Sequence, residues 1–232
     1  MTATAVESRI LAALAGVRDP ELDEPVTVLG FVASAVLDAD GTAVVHLRLP
    51  TYFCAPNFAY LMVADAYDAV AALDEVRRAE VVLDDHFASD AINEGVAARA
   101  GFVASFEGEA VDELDQLRRD FVRKAVLAGT DMVCRPLSGR DLAAMTLGDV
   151  DNTPALDRLR RRRRELGLPA DDSAPLLIDP ATGAAIEPDQ VPLHLRRARL
   201  TRTSLDANTG ICRGMLRHRY STDGQGEEAP AE

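Results

Sequence analysis

The sequence has few cysteines and no long apolar run, and each shortage argues against a class of protein. Three widely spaced cysteines, Cys54, Cys134 and Cys212, are an odd number, which disfavours a disulfide framework and favours reduced thiols. The longest apolar stretches, such as VLGFVASAV at 28–36, fall well short of the roughly 20 residues that span a bilayer. Because the N-terminus also lacks a signal-peptide pattern, we expect a cytoplasmic protein without membrane contact.

Motifs of several common enzyme classes are also missing. The sequence contains no GxGxxG after a strand, no GxxxxGK[ST], no GxSxG and no HExxH. No histidine lies at a spacing that supports a general base for a catalytic cysteine. We therefore expect a protein that is not an enzyme.

The charge is distributed unevenly along the 232 residues, of which 47% are hydrophobic. Residues 1–105 contain 6 Lys and Arg against 16 Asp and Glu, a net charge of −10, whereas the remainder contains 19 against 22, a net charge of −3. Such acidity disfavours nucleic acid as a partner. The basic run Arg160–Arg164 lies between acidic neighbours, and we predict that it forms a solvated or partner-facing side of a helix.

The first 105 residues show the pattern helix, strand, strand, helix, strand, which predicts a two-layer α/β unit of the α+β class. Apolar residues at helical spacing indicate the helices, and β-branched runs on either side of the DADG turn indicate two antiparallel strands. The predicted elements are helices over 6–17 and 57–73 and strands over 26–37, 42–49 and 75–84. A turn and a short helix follow over 86–102, with Gly101 as its stop.

Three short motifs accompany this order of elements. They are Asp19, Pro20, Glu21 and Leu22 in the first turn, Leu29, Gly30, Phe31 and Val32 on the first strand, and Thr51 and Cys54 in PTYFCAP. Together they resemble the iron-sulfur cluster assembly domain family, which includes PaaD-like and SufT-like proteins, over about residues 6–85. In most members of that family a proline directly follows the cysteine, whereas here Ala55 stands between Cys54 and Pro56. The resemblance implies iron or an iron-sulfur cluster as the cofactor, with Cys54 as the residue that binds it.

The position of Cys54 supports a functional thiol independently of the resemblance. Pro56 suits the first turn of the following helix, because its missing N–H costs nothing there. Cys54 should then lie at or just before the helix N-terminus, where free N–H groups and the helix dipole favour a thiolate. The alternative is a buried, apolar cysteine without a chemical role.

Three further residues are candidate metal ligands. His86 follows two aspartates at the end of a predicted strand, and imidazole with carboxylate suits iron; the alternative is a surface turn whose acids cap the next helix. Cys134 and Cys212 lie beside glycine, proline and arginine, and either can join Cys54 within the folded chain or across a homodimer. The other histidines are predicted to be structural: His46, His194 and His218.

Residues 106–222 form a second predicted region, mainly helical, and residues 223–232 a disordered tail. An amphipathic helix is predicted over 109–129 with Gly129 at its end, and a shorter helix over 138–150 with Ser138 as its cap. A longer helix should begin at Thr153 and Pro154. Proline-punctuated short strands are predicted over 175–205, around the DPATG turn.

Two functions fit these observations. The first is an accessory maturation factor that uses Cys54 to hold iron or an iron-sulfur cluster and deliver it to a client metalloenzyme. The second is a chaperone-like binding or folding module that recognises the client without metal. The resemblance implies a multicomponent oxygenase as the client, such as a di-iron or iron-sulfur monooxygenase.

Overall fold

A computed structural model describes residues 3–221, and the predicted disordered tail at 223–232 lies outside the described residues. The helices are α1 (Ala3–Leu14), α2 (Val26–Leu29), α3 (Pro56–Ala71), α4 (Ser89–Ala97), α5 (Phe102–Ser105), α6 (Asp115–Cys134), α7 (Pro154–Glu165) and α8 (Val191–Tyr220). The strands are β1 (Val32–Leu37), β2 (Thr42–Arg48) and β3 (Arg78–Asp84).

The chain divides into two compact units that differ from the predicted division at residue 105. The first unit contains the residues up to Leu114 together with those from Asn208 onward, and the second contains Asp115–Ala207. The end of α8 belongs to the first unit because Leu216 is buried in that unit's hydrophobic core. A side chain so distant in sequence carries no local signal of this packing.

The sheet of the first unit has the order β1-β2-β3. β1 and β2 pair antiparallel, with Ala35 opposite Val45, and β2 pairs parallel to β3, with Val45 opposite Val81. Between β1 and β2, the Thr42 N–H donates to Asp40 Oδ1 at 2.9 Å, and Gly41 adopts a φ of 87° that favours glycine. The predicted hairpin and the predicted α+β class are confirmed.

One face of this sheet is covered by helices. Alternate residues of β2 and β3 are buried, namely Ala43, Val45, Leu47, Ala79, Val81 and Leu83. Helix α1 contacts β1 and α3, and α3 contacts β3, so the helices bury this face as the alternation predicts. The predicted helices over 6–17 and 57–73 and the strand over 75–84 are confirmed, with bounds shifted by a few residues.

The predicted strand over 26–37 is wrong in its first part. Residues Val26–Leu29 form a helical turn, which follows Pro25 and ends at Gly30 with a left-handed φ of 80°. The β-branched residues there favour a strand locally. A helical turn instead places Val26 and Leu29 on one side, and both are buried in the core, so tertiary burial overrides the local preference.

The predicted helix stop at Gly101 is also wrong. Helix α4 ends at Ala97, and Arg99 takes the positive φ, 53°, that follows its C-terminus. Gly101 instead precedes α5, where its carbonyl oxygen accepts from Ser105 Oγ at 2.6 Å.

In the second unit, the predicted helix over 109–129 is confirmed in type but not in bounds. Helix α6 begins at Asp115, whereas Val111 lies outside it and is 89% exposed. Gly129 lies within the helix, where a Cβ would stand 3.4 Å from the Leu159 side chain of α7. The glycine therefore permits close helix packing and does not end the helix.

The predicted helix over 138–150 is wrong. Short 3-10 turns occur at Arg135–Leu137 and Leu147–Asp149, and the described residues between them contain no helix. Thr146, and not Ser138, is the capping residue: its N–H and hydroxyl both contact Asp149 Oδ2, at 2.8 and 2.9 Å.

The predicted short strands over 175–205 are partly wrong. The DPATG turn is present, because Asp179 Oδ1 accepts from the Ala181 and Thr182 N–H groups at 2.7 and 3.0 Å. Residues from Val191 onward instead form α8. Pro192 is tolerated in its first turn, and the leucines, arginines and alanines that follow favour a helix.

The arginine run was predicted to form a solvated or partner-facing side of a helix, and this is wrong for the buried Arg162 and Arg163. Helix α7 begins as predicted, with Thr153 Oγ1 accepting from the Leu156 N–H at 3.2 Å. Arg163, however, is fully buried and donates to the carbonyl oxygens of Pro175 and Leu176 at 2.9 and 2.6 Å. These carbonyls lie in an irregular segment that needs donors, and a buried guanidinium supplies them. Burial lowers the pKa of Arg163 to about 10, so it stays charged at neutral pH.

Candidate functional site

Cys54 lies immediately before helix α3, as predicted. Ala55 occupies the cap position without a side-chain cap, and Pro56 is the first helical residue. The Cys54 thiol is partly buried, and its Sγ lies 3.3 Å from Thr51 Oγ1. The extra Ala55 therefore moves the cysteine one position ahead of the cap, and its thiol contacts the threonine of the same motif.

His86 is buried directly beneath the Cys54 loop. Its Nδ1 accepts from the Ala88 N–H at 3.2 Å, so Nε2 carries the proton and donates to the Cys54 carbonyl oxygen at 2.7 Å. Burial lowers the pKa of His86, which favours this neutral form. Both ring nitrogens are engaged by the backbone, and metal ligation by His86 would require one of these bonds to break.

Cys212 belongs to the same unit as Cys54 and the DPEL motif. The pKa of Cys212 is raised to about 11, chiefly by burial and to a smaller extent by the nearby charges of Asp19, Cys54 and Glu21. Both thiols contact the same hydrophobic core. The structure thus brings together two of the three cysteines, although they are separated by more than half of the sequence.

The Asp19 carboxylate organises the DPEL turn beside this pair. Its Oδ1 accepts from the N–H groups of Glu21 and Leu22, both at 2.9 Å. Asp19 is buried, and burial raises its pKa to about 6 against the lowering effect of these two bonds. The main role of Asp19 is therefore to stabilise the DPEL turn by accepting two backbone hydrogen bonds.

Cys134 lies in the second unit, where it is buried in that unit's hydrophobic core. Burial raises its pKa to about 12, which favours the neutral thiol. The structure thus places Cys54, His86 and Cys212 in the first unit and Cys134 in the second. A ligand role for Cys134 stays a prediction.

The donor set at Cys54 suits soft, thiolate-binding cargo but is incomplete. Iron-sulfur clusters are held by cysteine thiolates, commonly four. Among residues 3–221, no group of three or more His, Cys, Asp or Glu side chains is placed to hold a metal ion. A ligand role for Cys54 and Cys212 therefore stays a prediction.

Three exposed aromatic residues, Tyr52, Phe53 and Phe87, lie in the loops of Cys54 and His86, and no sequence motif predicted their contact. The Phe53 ring lies 5.0 Å from that of Tyr52 and 5.9 Å from that of Phe87, between ring centroids. Phe53 is 77% exposed, and Tyr52 and Phe87 are about half exposed. The Phe87 N–H donates to the Tyr52 carbonyl at 3.1 Å, which joins the two loops. The sequence could have indicated this cluster, because aromatic residues directly precede Cys54 in TYFC and directly follow His86 in HF.

The end of α8 anchors the same loops from another side. Arg219 donates to the carbonyl oxygens of Leu49 and Asp85 at 3.1 and 2.7 Å and forms an ion pair with the Asp85 carboxylate. The Arg48 guanidinium lies 4.6 Å from the centroid of the Tyr220 ring. The last turn of α8 therefore helps to hold the loops of this site in place.

The remaining histidines have different surroundings. His46 Nδ1 lies 2.9 Å from Asp84 Oδ1 across β2 and β3. His194 is buried in the second unit, which lowers its pKa, and His218 is exposed.

The first unit is an α+β domain with a cysteine directly before a helix N-terminus. A comparison with known families shows which family has a similar sequence. Residues 7–82 match the family described as iron-sulfur cluster assembly protein. This match runs from α1 into β3 and confirms the resemblance seen in the sequence. The matched segment covers about a third of the chain, and its similarity to that family suggests involvement in iron-sulfur cluster assembly or metal delivery.

One solved structure similar to the chain is that of the domain of unknown function DUF59 from Bacillus anthracis. The two are 25% identical, the match covers 42% of this chain and 92% of the other, and the TM-score is 0.33. A search of curated proteins finds no match. Among the described residues, no helix combines the length and apolar character needed to cross a membrane.

Proposed function

We propose that the protein is an accessory maturation factor, which holds iron or an iron-sulfur cluster at Cys54 and delivers it to a client metalloenzyme. The observation that carries the proposal is the partly buried Cys54 thiol before α3, within a segment that matches the cluster assembly family. A carrier needs no catalytic activity of its own, which agrees with the expectation from the sequence that the protein is not an enzyme.

The incomplete donor set supports delivery over permanent storage. A cargo bound by one or two thiols of this chain needs further ligands, which water, a small thiol, a second copy of the chain or the client can provide. A site that shares its cargo with other ligands releases it by ligand exchange more readily than a closed site of four cysteines.

The aromatic surface of Tyr52, Phe53 and Phe87 supports contact with a protein client. Exposed aromatic residues that touch one another are typical of contact surfaces, where they bury large areas against a partner. Because they flank Cys54, a client bound there has its own ligands close to the thiol. A multicomponent monooxygenase with di-iron or iron-sulfur centres is the proposed client.

The proposal is tested by anaerobic reconstitution of the purified protein with ferrous iron and sulfide, followed by iron and sulfide analysis and absorption spectroscopy. We expect bound iron in the parent protein and its loss in Cys54→Ser, because serine preserves the volume but lacks the soft sulfur ligand. Cys134→Ser is the matched control for a thiol in the other unit, and Cys212→Ser reports on the second thiol of the site.

The alternative is a client-binding or folding module that uses no metal. It predicts that neither parent nor Cys54→Ser binds iron above background, while both still bind the client. Equal iron binding by the parent and Cys54→Ser would refute Cys54 as the cargo ligand.

A further inference from the structure

The second unit contains a cavity of about 440 Å³ at the junction of α6, the start of α8 and the loop after Cys134. Its volume lies within the range of small-molecule sites, and all of its lining residues belong to this one unit. The cavity is separate from the residues around Cys54, which belong to the first unit. The match with the cluster assembly family, which ends at residue 82, does not reach it.

The polar part of the cavity is predominantly basic. Three arginines line it, Arg135, Arg140 and Arg199, with two aspartates, Asp131 and Asp141. The negative charge of the buried Asp131 carboxylate is already balanced by arginines: its Oδ2 accepts from Arg202 Nε at 2.6 Å, and Arg199 Nε lies 3.8 Å from its Oδ1. The cavity therefore has an excess of positive charge.

Two of these arginines are available to a ligand. Within residues 3–221, the guanidinium groups of Arg135 and Arg140 form no hydrogen bond or ion pair, although Arg140 acts electrostatically on the more distant Asp149. Guanidinium groups match the geometry of carboxylate and phosphate oxygens and can bind them through two hydrogen bonds. Both arginines are exposed and line the same cavity, which favours binding of an anion there.

The rest of the lining is apolar. Leu142, Val191 and Leu195 contribute aliphatic side chains, and Pro188 and Pro192 add ring surface. Cys134 also lines the cavity as a neutral thiol, since burial raises its pKa. A ligand that is only an inorganic ion would leave this surface uncovered, whereas one with an apolar body would bury it.

We propose that this cavity binds a small organic anion, with a carboxylate or phosphate held by Arg135 and Arg140 and an apolar body against the aliphatic walls. The proposal assigns the second unit a ligand-binding role that is independent of cargo at Cys54.

The test is isothermal titration calorimetry of the full chain with three matched probes: phenyl phosphate, inorganic phosphate and phenol. Phenyl phosphate has both an anionic group and an apolar ring. Inorganic phosphate lacks the ring, and phenol lacks the anionic group. We expect phenyl phosphate to bind at least about tenfold more tightly than either partial probe, because anion and apolar contacts both contribute. We expect R135Q/R140Q to weaken its binding by about tenfold or more.

Two controls separate this proposal from general charge effects and from cargo binding. Arg161→Gln removes an exposed arginine that does not line the cavity and should leave binding unchanged. Cys54→Ser should also leave phenyl phosphate binding unchanged, even where it removes iron. No binding of phenyl phosphate at millimolar concentration, or equal binding by the parent and a folded R135Q/R140Q variant, overturns the proposal.

Discussion

The Nε2–H of His86 donates to the carbonyl oxygen of Cys54 at 2.7 Å, and this bond joins the loop after β3 to the loop before α3. The same ring accepts the Ala88 N–H, so a single buried imidazole holds two backbone segments. His86 is thus a positioning residue for Cys54, and the thiol depends on a residue 32 positions later in the chain.

Replacing His86 with Phe should lower the free energy of unfolding by about 2 kcal/mol or more, because it leaves a buried carbonyl oxygen and an N–H unpaired while preserving most of the volume. Urea denaturation measures the loss, and iron loading should also weaken because Cys54 is less well positioned. His218→Phe, at an exposed position, is the control. Equal stability of the two variants would contradict the positioning role.

Asp19 should give the metal-free protein a distinctive pH dependence. Burial raises its pKa from 3.8 to about 6, so the folded protein binds this proton more tightly than the unfolded chain. The stability that this difference provides is complete below pH 3.8 and is lost as the pH rises through about 6.

Asp19→Asn keeps a side-chain oxygen of similar size that can accept the same two hydrogen bonds, but the amide does not ionise. Relative to this variant, the parent should lose up to about 3 kcal/mol of unfolding free energy as the pH rises from about 4 to about 7. Urea unfolding across that range measures the difference. Parallel stability curves for the two proteins would show that Asp19 ionises at its ordinary pKa.

Arg163 should be essential to the second unit, whereas its neighbour Arg161 should not. Arg163→Met leaves the buried carbonyl groups of Pro175 and Leu176 without donors, and we expect a loss of about 3 kcal/mol or more. Arg161→Met, on the exposed side of α7, should change the unfolding free energy by less than about 0.5 kcal/mol. Thermal unfolding of both variants decides the matter, and comparable midpoints would refute the buried role.

Phe53 should matter for surface contacts and not for stability. Phe53→Ser removes the most exposed ring of the aromatic surface and should change the unfolding free energy by less than about 0.5 kcal/mol. Fluorescence of the hydrophobic dye ANS should fall, because the dye binds contiguous apolar surface. Val111→Ser, at an isolated exposed valine, is the matched control. An equal effect of both changes would mean that the aromatic residues form no continuous surface.

Features with a local chemical cause were predictable from the sequence. Gly41 in DADG permits the positive φ that the turn requires, and Pro56 and Thr153 mark helix starts because each acts on the backbone next to it. The placement of Cys54 before α3 follows from the same local rule. The similarity to the cluster assembly family was likewise recognisable because the motifs that carry it are short and ordered along the chain.

Features that depend on distant partners were not predictable in this way. Val26–Leu29 is helical because this conformation buries Val26 and Leu29 in the core. Arg163 is buried because its guanidinium donates to the carbonyl oxygens of Pro175 and Leu176. His86 was predicted to be a metal ligand because it follows two aspartates, and its bond to the Cys54 carbonyl was not predictable because that bond joins residues from two loops.

By itself, the sequence determined the α+β pattern of the first unit, its hairpin and the thiol at a helix start, since these arise from residues adjacent in the chain. Only the tertiary structure decided that Cys212 and Arg219 return from α8 to the loops of Cys54, and that Cys134 belongs to another core. The physical reason is that burial and long-range hydrogen bonds depend on which surfaces meet in the folded chain, and one-dimensional spacing does not specify that meeting.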